Sequence, residues 1–352
     1  MGSLLLSTAS LADLSFANQS RLPVFEDVIH SIENTESFLL SGHERPDGDC
    51  IGAEVALYHL LRSMGKQVQI LNADPVERGL RFLEKHTPIG VYEAGSELPP
   101  HDLHFLLDCH ELRRLGSVGK AAAELQGVPR IVIDHHVGAE RGDGDLALCD
   151  SSAASTGTII YELYRKIGAP MLQPAAEAIF VTIVADTGWF RYSNTDENAL
   201  AIAADLVANG VRPHEIYQHL HHGKSRENAS LLSAGLALSY FAEDGRVAVL
   251  PLPRSYMARA GRHEFNTDTL LDALREIEAV DVVLMLKEIG EDRVKLSLRA
   301  SEVVDVDGVA RALGGGGHRK AAGATIEGPL KAATEQVLGM LHELLADPSA
   351  GV

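Results

Sequence analysis

The sequence predicts an α/β protein of two domains: a larger N-terminal domain built on a parallel sheet flanked by helices, and a smaller C-terminal α+β domain. Three observations predict it. From about Ser37 short apolar runs alternate with helix-length amphipathic ones, the pattern of βαβ units. Around Gln218–Asn228 (QHLHHGKSREN) the chain turns polar and histidine-rich, as a hinge or linker helix does. Beyond that point strand patterns follow one another before helices return. The length of 352 residues agrees, since domains average roughly 100–200 residues.

The first strands are Phe38–Gly42, Val68–Asn72, Leu103–Leu107 and Arg130–Ile133, each an apolar run bounded by turn residues. Between the first two, Ile51–Met64 carries apolar side chains at Val55, Leu57, Leu60 and Leu61 and stops at Gly65, which makes it a helix. Further helices are predicted over Ser155–Ile167, Pro174–Ala185 and Thr195–Asn209. The second of these is apolar on nearly every face and therefore buried. In the second domain, Arg246–Leu252, Asp281–Ile289 and Arg293–Ala300 read as strands, with Gly290–Asp292 turning between the last two. A helix over Asp307–Leu313 runs into four glycines, and a closing helix spans Leu330–Ala346. The implied organisation is a flexible N-terminus (residues 1–22), a first domain (23–217), a linker (218–232) and a second domain (233–348).

Acidic residues outnumber basic ones 49 to 31, for a formal net charge of −18. Binding along an extended nucleic-acid backbone depends on neutralising many phosphates, so a broad basic track is excluded. A narrow site for one or two phosphates is not. Hydrophobic residues make up 45% of the chain, enough for sizeable cores. Cys50, Cys109 and Cys149 are too few and scattered for a disulfide framework, which points to a reducing, cytoplasmic setting. Cys50 and Cys109 read as small buried hydrophobes rather than metal ligands. The N-terminal MGSLLLSTASLADLSF lacks the basic start and long apolar run of a signal peptide. No segment reaches the ~20 apolar residues of a membrane helix.

Acids and histidines gather at the ends of the apolar runs. His43-Glu44-Arg45-Pro46-Asp47-Gly48-Asp49 follows the first strand, Asp108 the third, and Asp134-His135-His136 the fourth; the buried helix ends at Asp186-Thr187-Gly188. Loops after the carboxyl ends of parallel strands converge on one crevice. Each motif alone has an ordinary reading as a turn or a helix cap. Together at the ends of elements in one domain, they read as a site. Clustered carboxylates repel unless a cation compensates them. Mixed carboxylate and imidazole donors suit Mn²⁺, with Mg²⁺, Co²⁺ and Zn²⁺ as competitors. Two such ions about 3.5–4 Å apart are an arrangement used for phosphoester hydrolysis. In the second domain, Gly314–Gly317 with His318 and Arg299 suits the cradling of a phosphate, although a flexible loop explains the glycines equally well.

In this order the motifs resemble the DHH phosphoesterase superfamily with a C-terminal DHHA1 domain. The matching pieces are His43-x-x-Pro46-Asp47-Gly48-Asp49, Asp108 with Arg114-Leu115-Gly116, Asp134-His135-His136, Asp186-Thr187-Gly188, and Ser297-x-Arg299 followed by Gly314–His318. The stand-alone NrnA-type group, oligoribonucleases and 3′-phosphoadenosine-5′-phosphate (pAp) phosphatases, is the most similar. The resemblance implies an active site in the cleft between the domains and two divalent ions, manganese foremost. His43, Asp47 and Asp108 would hold one ion; Asp49, Asp108, His135 and Asp186 would hold the other, with Asp108 bridging. Asp134 would orient the metal-bound imidazoles, and His136 would contact the scissile phosphate or assist proton transfer. Arg114 would bind substrate or form a structural ion pair. Arg299, Gly315, Gly316, Gly317 and His318 would grip the far phosphate or nucleotide.

The implied substrates are short single-stranded RNA, dinucleotides or pAp, with no long duplex and no membrane partner. A homodimer is compatible with the resemblance, and the sequence carries no signal of its own on assembly. His110-Glu111 departs from the family pattern, in which small residues or Asp are commoner. Three other readings compete: a cyclic-dinucleotide phosphodiesterase, a manganese-dependent pyrophosphatase and a non-catalytic nucleotide sensor. The glycine run argues against the pyrophosphatase, and the full ligand set against the sensor. Trp189 and Phe190 are expected to pack. His219, His221 and His222 are expected to be solvated hinge residues.

Overall fold

The computed structural model describes residues 22–221, 225–262, 265–301 and 304–346, apart from the side chains of Leu22 and His318. The expected flexible N-terminus therefore lies outside the described residues, except for Leu22. The chain divides into two compact units, the first ending at residue 222 and the second beginning at 223. Among the described residues no helix is long and apolar enough to cross a membrane.

The first unit runs α1 (Leu22–Asn34), β1 (Ser37–Gly42), α2 (Gly48–Ser63), β2 (Gln67–Asn72), β3 (Ile89–Val91), β4 (Leu103–Leu107), α3 (Gly116–Glu124), β5 (Arg130–Asp134), β6 (Leu146–Cys149), α4 (Thr156–Ile167), α5 (Gln173–Asp186), α6 (Glu197–Ala208) and α7 (Pro213–His221). Its six strands lie in the order β3-β2-β1-β4-β5-β6, and every pairing is parallel. The chain direction across the sheet therefore reverses between β1 and β4. In such sheets, ligands bind outside the carboxyl ends of the strands at that switch point.

Both faces of this sheet are covered, which is why β1, β4 and β5 read as continuous apolar runs. The main core gathers Phe38, Leu40, Phe105 and Ile133 with the apolar sides of α2, α4 and α5. A smaller cluster on the other face joins Leu106 and Val132 to Val118 of α3. Helix α5 packs against both α2 and α4. Its Ile179, Phe180, Val181, Ile183 and Val184 are all buried, at roughly 1.5–3 kcal/mol for each large apolar side chain. That burial fixes the position of Asp186 at its end.

The second unit runs α8 (Arg226–Leu236), β7 (Tyr240–Ala242), β8 (Val247–Leu252), α9 (Arg254–Arg262), α10 (Asp268–Arg275), β9 (Val282–Glu288), β10 (Arg293–Ala300), α11 (Asp307–Ala312), β11 (Gly316–His318), β12 (Ala321–Glu327) and α12 (Leu330–Ala346). Its sheet, ordered β11-β12-β10-β9-β8-β7, is antiparallel except for β8 with β9. Along β10, Val294, Leu296, Leu298 and Ala300 enter the core under α12, so Lys295, Ser297 and Arg299 line the opposite face.

Two expectations need correcting. Gly314–Gly317 is not a plain loop: Gly316–His318 forms an edge strand paired with β12. The histidines expected as hinge residues belong in part to α7, the last helix of the first unit. The His219 ring stacks on Phe82 at 4.4 Å, and His221 Nε2 accepts from Trp189 Nε1 at 2.8 Å. His219 remains exposed, as expected of it, whereas His221 is half-buried against Trp189. His222 lies outside the described residues. Trp189 and Phe190 pack as expected, each edge-on to Phe180.

Candidate metal centre

The four motifs meet at the carboxyl ends of β1, β4 and β5. His43 follows β1, Asp108 follows β4, Asp134 ends β5 and His135 follows it. Asp47 is the N-cap of α2, its side chain accepting from the backbone N–H groups of Asp49 and Cys50. The aspartates thus sit in the motif partly because helix α2 needs one to start. Asp108 leaves its strand with φ of 55°, a left-handed conformation that Asp tolerates better than most residues. Its backbone N–H still donates to Ile133 O at 3.0 Å.

Three donor groups result, each drawn together closely enough to hold an ion: His43, Asp47 and Asp108; Asp49, His135 and Asp186; and Asp108, His135 and His136. His43 Nε2 lies 3.4 Å from Asp108 Oδ2 and 3.7 Å from Asp47 Oδ1. His135 Nε2 lies 2.9 Å from Asp186 Oδ2, 3.5 Å from Asp49 Oδ2 and 3.7 Å from Asp108 Oδ1. The two oxygens of Asp108 therefore face the two different groups.

Hydrogen bonds outside the cluster set the tautomers. His43 Nδ1 meets the Glu44 carbonyl at 2.9 Å and His135 Nδ1 meets the Ala153 carbonyl at 3.3 Å. A carbonyl only accepts, so each Nδ1 carries the proton and, in a neutral ring, each Nε2 presents a lone pair to the aspartates. His136 is the reverse case. Its Nδ1 lies 3.6 Å from Asp108 but donates to Asp134 Oδ1 at 2.7 Å. Asp134 thus competes with any ion for that nitrogen of His136.

The cluster attracts positive charge. Asp49 and Asp108 are buried. Burial pushes the Asp49 carboxyl well above the usual carboxylate range, and the like charges of Asp108 and Asp186 push the same way. Burial also raises Asp186, against the pull of His135. Burial would lower His43, but Asp108 and Asp47 outweigh it and raise the ring to about 11. His135 is raised to about 10, where Asp186, Asp49 and Asp108 outweigh burial. Among the described residues no lysine or arginine forms an ion pair with Asp47, Asp49, Asp108 or Asp186. Four carboxylates, two imidazole lone pairs and no basic side chain make a donor set that fits divalent cations.

Several supporting residues carry no sequence signal. The start of α4 holds two of the aspartates: Thr156 N and Gly157 N donate to Asp49 at 2.8 and 3.2 Å, and Thr156 Oγ1 donates to Asp108 Oδ1 at 3.2 Å. Beneath His43, buried Glu54 accepts from Asn72 Nδ2 at 2.8 Å, and Asn72 Oδ1 accepts from Gly42 N at 3.1 Å. Asp134 departs from its implied role. Its partners are His136 and His110, at 2.7 Å each, while His43 and His135 rest on backbone carbonyls. Cys50 and Cys109 are buried, and burial pushes both thiols well up, as suits small apolar residues. Arg114 is exposed, and among the described residues no ion pair holds its guanidinium, which goes against the structural ion pair.

In the second unit, a groove of about 580 Å³ is lined by Lys295, Ser297, Arg299, Gly314, Gly315 and Gly316, among others. It brings Arg299, Gly315 and Gly316 together as expected. Gly317 does not line it. Its absent side chain faces β12, where a Cβ would come within 2.4 Å of Ala321 O. The His318 side chain lies outside the described residues.

Comparison with known proteins agrees with this geometry. Residues 37–183 match the DHH family, N-terminal domain, and residues 244–347 match the DHHA1 domain. A Thermus thermophilus protein named bifunctional oligoribonuclease and PAP phosphatase NrnA is 32% identical over 326 residues, 92% of this chain and 94% of that relative. The Bacillus subtilis protein of the same name is 27% identical, over 85% of this chain and 92% of its own length. The crystal structure of an exopolyphosphatase-related protein from Bacteroides fragilis superposes with a TM-score of 0.82 at 23% identity, covering 92% of this chain and 98% of that one, so the fold is shared. The chain belongs to the DHH family of phosphoesterases that carry a C-terminal DHHA1 domain.

Proposed function

We propose that this chain is a metal-dependent phosphoesterase that hydrolyses short oligoribonucleotides to mononucleotides and pAp to AMP, using two divalent ions, manganese foremost. The observation that carries this reading is the pair of Asp108 oxygens, one toward His43 and one toward His135. A carboxylate so placed can serve two ions at once. The names of the relatives supply the substrates, and their similarity extends over both domains.

In this reading His43, Asp47 and Asp108 hold one ion, and Asp49, Asp108, His135 and Asp186 hold the other. When bound, the ions supply a water nucleophile at neutral pH and charge stabilisation at the phosphoryl group. The chain's own residues do the rest. Asp134 keeps the proton on His136 Nδ1, and in this reading the ring contacts the scissile phosphate or passes a proton to the leaving oxygen. Arg114 supplies positive charge to substrate from the loop after β4. Arg299, Gly315, Gly316 and His318 grip the far phosphate or nucleotide. The net charge of −18 leaves no basic track for long strands, so length selection falls to these few contacts. The three free thiols suit the reducing cytoplasm.

A substrate panel tests the proposal. With Mn²⁺, pAp should release AMP and RNA dinucleotides should release mononucleotides, while pyrophosphate and cyclic di-AMP turn over poorly. Turnover of pyrophosphate alone, or of no member of the panel, would overturn it.

A further inference from the structure

We infer that His110 is a positioning residue: through Asp134 it fixes the orientation in which His136 is presented to the reaction. The inference rests on the phosphoesterase reading for its kinetic consequence, though not for its structural one.

Asp134 is completely buried at the end of β5. Its Oδ1 accepts from His136 Nδ1 at 2.7 Å and from His136 N at 3.0 Å. Its Oδ2 accepts from His110 Nδ1 at 2.7 Å. The carboxylate is thus spanned by two imidazoles, one on each oxygen. Rotation of an aspartate carboxyl about its last bond is soft. With His136 as its only side-chain partner, the plane of that carboxyl would be free to turn and the His136 ring with it. A second donor on the opposite oxygen fixes the plane. Asp134 stays charged despite its burial, because the contacts with His136 and His110 outweigh the desolvation that would raise it. A charge-assisted bond of this length is also stronger than a neutral one.

His110 is itself held in place. Its carbonyl accepts from Asp143 N at 2.7 Å, and Asp143 Oδ2 accepts from Leu112 N at 2.7 Å, which closes the loop around it. Gly142 presses on the same residue: a Cβ there would lie 2.1 Å from His110 O and 2.6 Å from His110 Cβ. The loop after β5 is therefore shaped to the backbone at His110. The effect of His110 is directed at His136 rather than at the metal donors. Asp134 belongs to none of the three donor groups, and the rings of His43 and His135 are oriented by carbonyls elsewhere.

The test uses His110→Ala and His110→Asn, since the Asn amide can donate where the imidazole Nδ1 did. On pAp with Mn²⁺, His110→Ala should lower kcat about tenfold or more, a part of the ~10²–10⁴-fold a positioned acid–base group supplies. KM and the Mn²⁺ dissociation constant should stay within about twofold of wild type. His110→Asn should recover most of the lost kcat. In metal-free protein, the low-field Nδ1–H resonance of His136, assigned by its loss in His136→Asn, should shift in His110→Ala and return toward wild type in His110→Asn. An unchanged kcat, a loss confined to KM or metal affinity, or an unmoved His136 resonance would each overturn the inference. If wild type turns over no substrate at all, the phosphoesterase reading fails, and the resonance still decides whether His110 positions His136.

Discussion

Thr156 donates its hydroxyl to Asp108 Oδ1 at 3.2 Å, tying the first residue of α4 to the carboxylate whose two oxygens face His43 and His135. Its backbone N–H donates to Asp49 at 2.8 Å. One residue thus steadies two of the four aspartates, and only one of those bonds depends on its side chain. Thr156→Ala should weaken Mn²⁺ binding about 10–100-fold, the usual cost of losing a partner that orients a ligand. Thr156→Ser keeps the hydroxyl and should bind nearly as well as wild type. Calorimetric titration of Mn²⁺ into the three proteins checks both; equal affinity in all three would show that the hydroxyl does not orient Asp108.

Arg299 lies among the glycines and Ser297 on the half-exposed face of β10. Arg299→Ala removes a charged donor without touching the first unit. Charge-assisted hydrogen bonds contribute roughly 1.5–3 kcal/mol, so KM for pAp should rise about 10–100-fold with kcat nearly unchanged. Steady-state kinetics separate the two parameters; a fall in kcat at constant KM would remove the gripping role.

The glycines of the run should not be equivalent. A Cβ at Gly317 would lie 2.4 Å from Ala321 O and 2.6 Å from Ala322 Cα, while one at Gly316 has only Asp307 Oδ1 at 3.9 Å for a neighbour. Gly317→Ala should lower the melting temperature by several degrees, as overpacking costs about 1–3 kcal/mol. Gly316→Ala should leave the melting temperature alone and raise KM. Thermal unfolding and kinetics of the two variants, measured side by side, decide whether this division holds.

His104, buried in β4, joins Ser41 Oγ through Nε2 at 3.0 Å. Burial pushes it down from 6.5 to about 3, and His101 and Arg130 add to the fall. Between those values the unfolded chain binds a proton that the folded chain refuses. Stability should therefore be lost as pH falls through that window, by up to ~1.4 kcal/mol per unit below about pH 6. His104→Gln keeps a donor for Ser41 and should flatten that slope. Denaturant unfolding of the metal-free proteins at pH 7, 6 and 5 gives the difference; parallel slopes would mean that His104 is not the group responsible.

The strands that carry the site were legible because both their faces are buried. β1, β2, β4 and β5 appear as apolar runs within a residue of their observed ends. β3 and β6 did not, being short, half-exposed edge strands of three and four residues. β12, AAGATIE, is built largely of small residues that leave little hydrophobic signal. All six residues matched to metal ligands proved to be neighbours, because each follows or ends an element at the same edge of one sheet. The groups that orient them were not legible. Thr156 and Gly157 act largely through backbone N–H groups, which every sequence has. His110 is one polar residue in a loop, and its contact with Asp134 arises only because β4 and β5 lie side by side. The roles of the glycines were half legible: their number marked the place, but only the pairing with β12 shows that Gly315 and Gly317 lie against its backbone while Gly316 faces open space.

The stoichiometry of Mn²⁺ in wild type and Asp108→Asn bears most directly on the central claim. Asn tolerates the left-handed backbone at this position better than Ala, so the fold should survive the change. Wild type should bind two Mn²⁺ per chain and release AMP from pAp. Asp108→Asn should lose the second equivalent and essentially all turnover while keeping its melting temperature. A wild type that binds at most one ion, or an Asp108→Asn protein that binds two and keeps its turnover, would contradict the account.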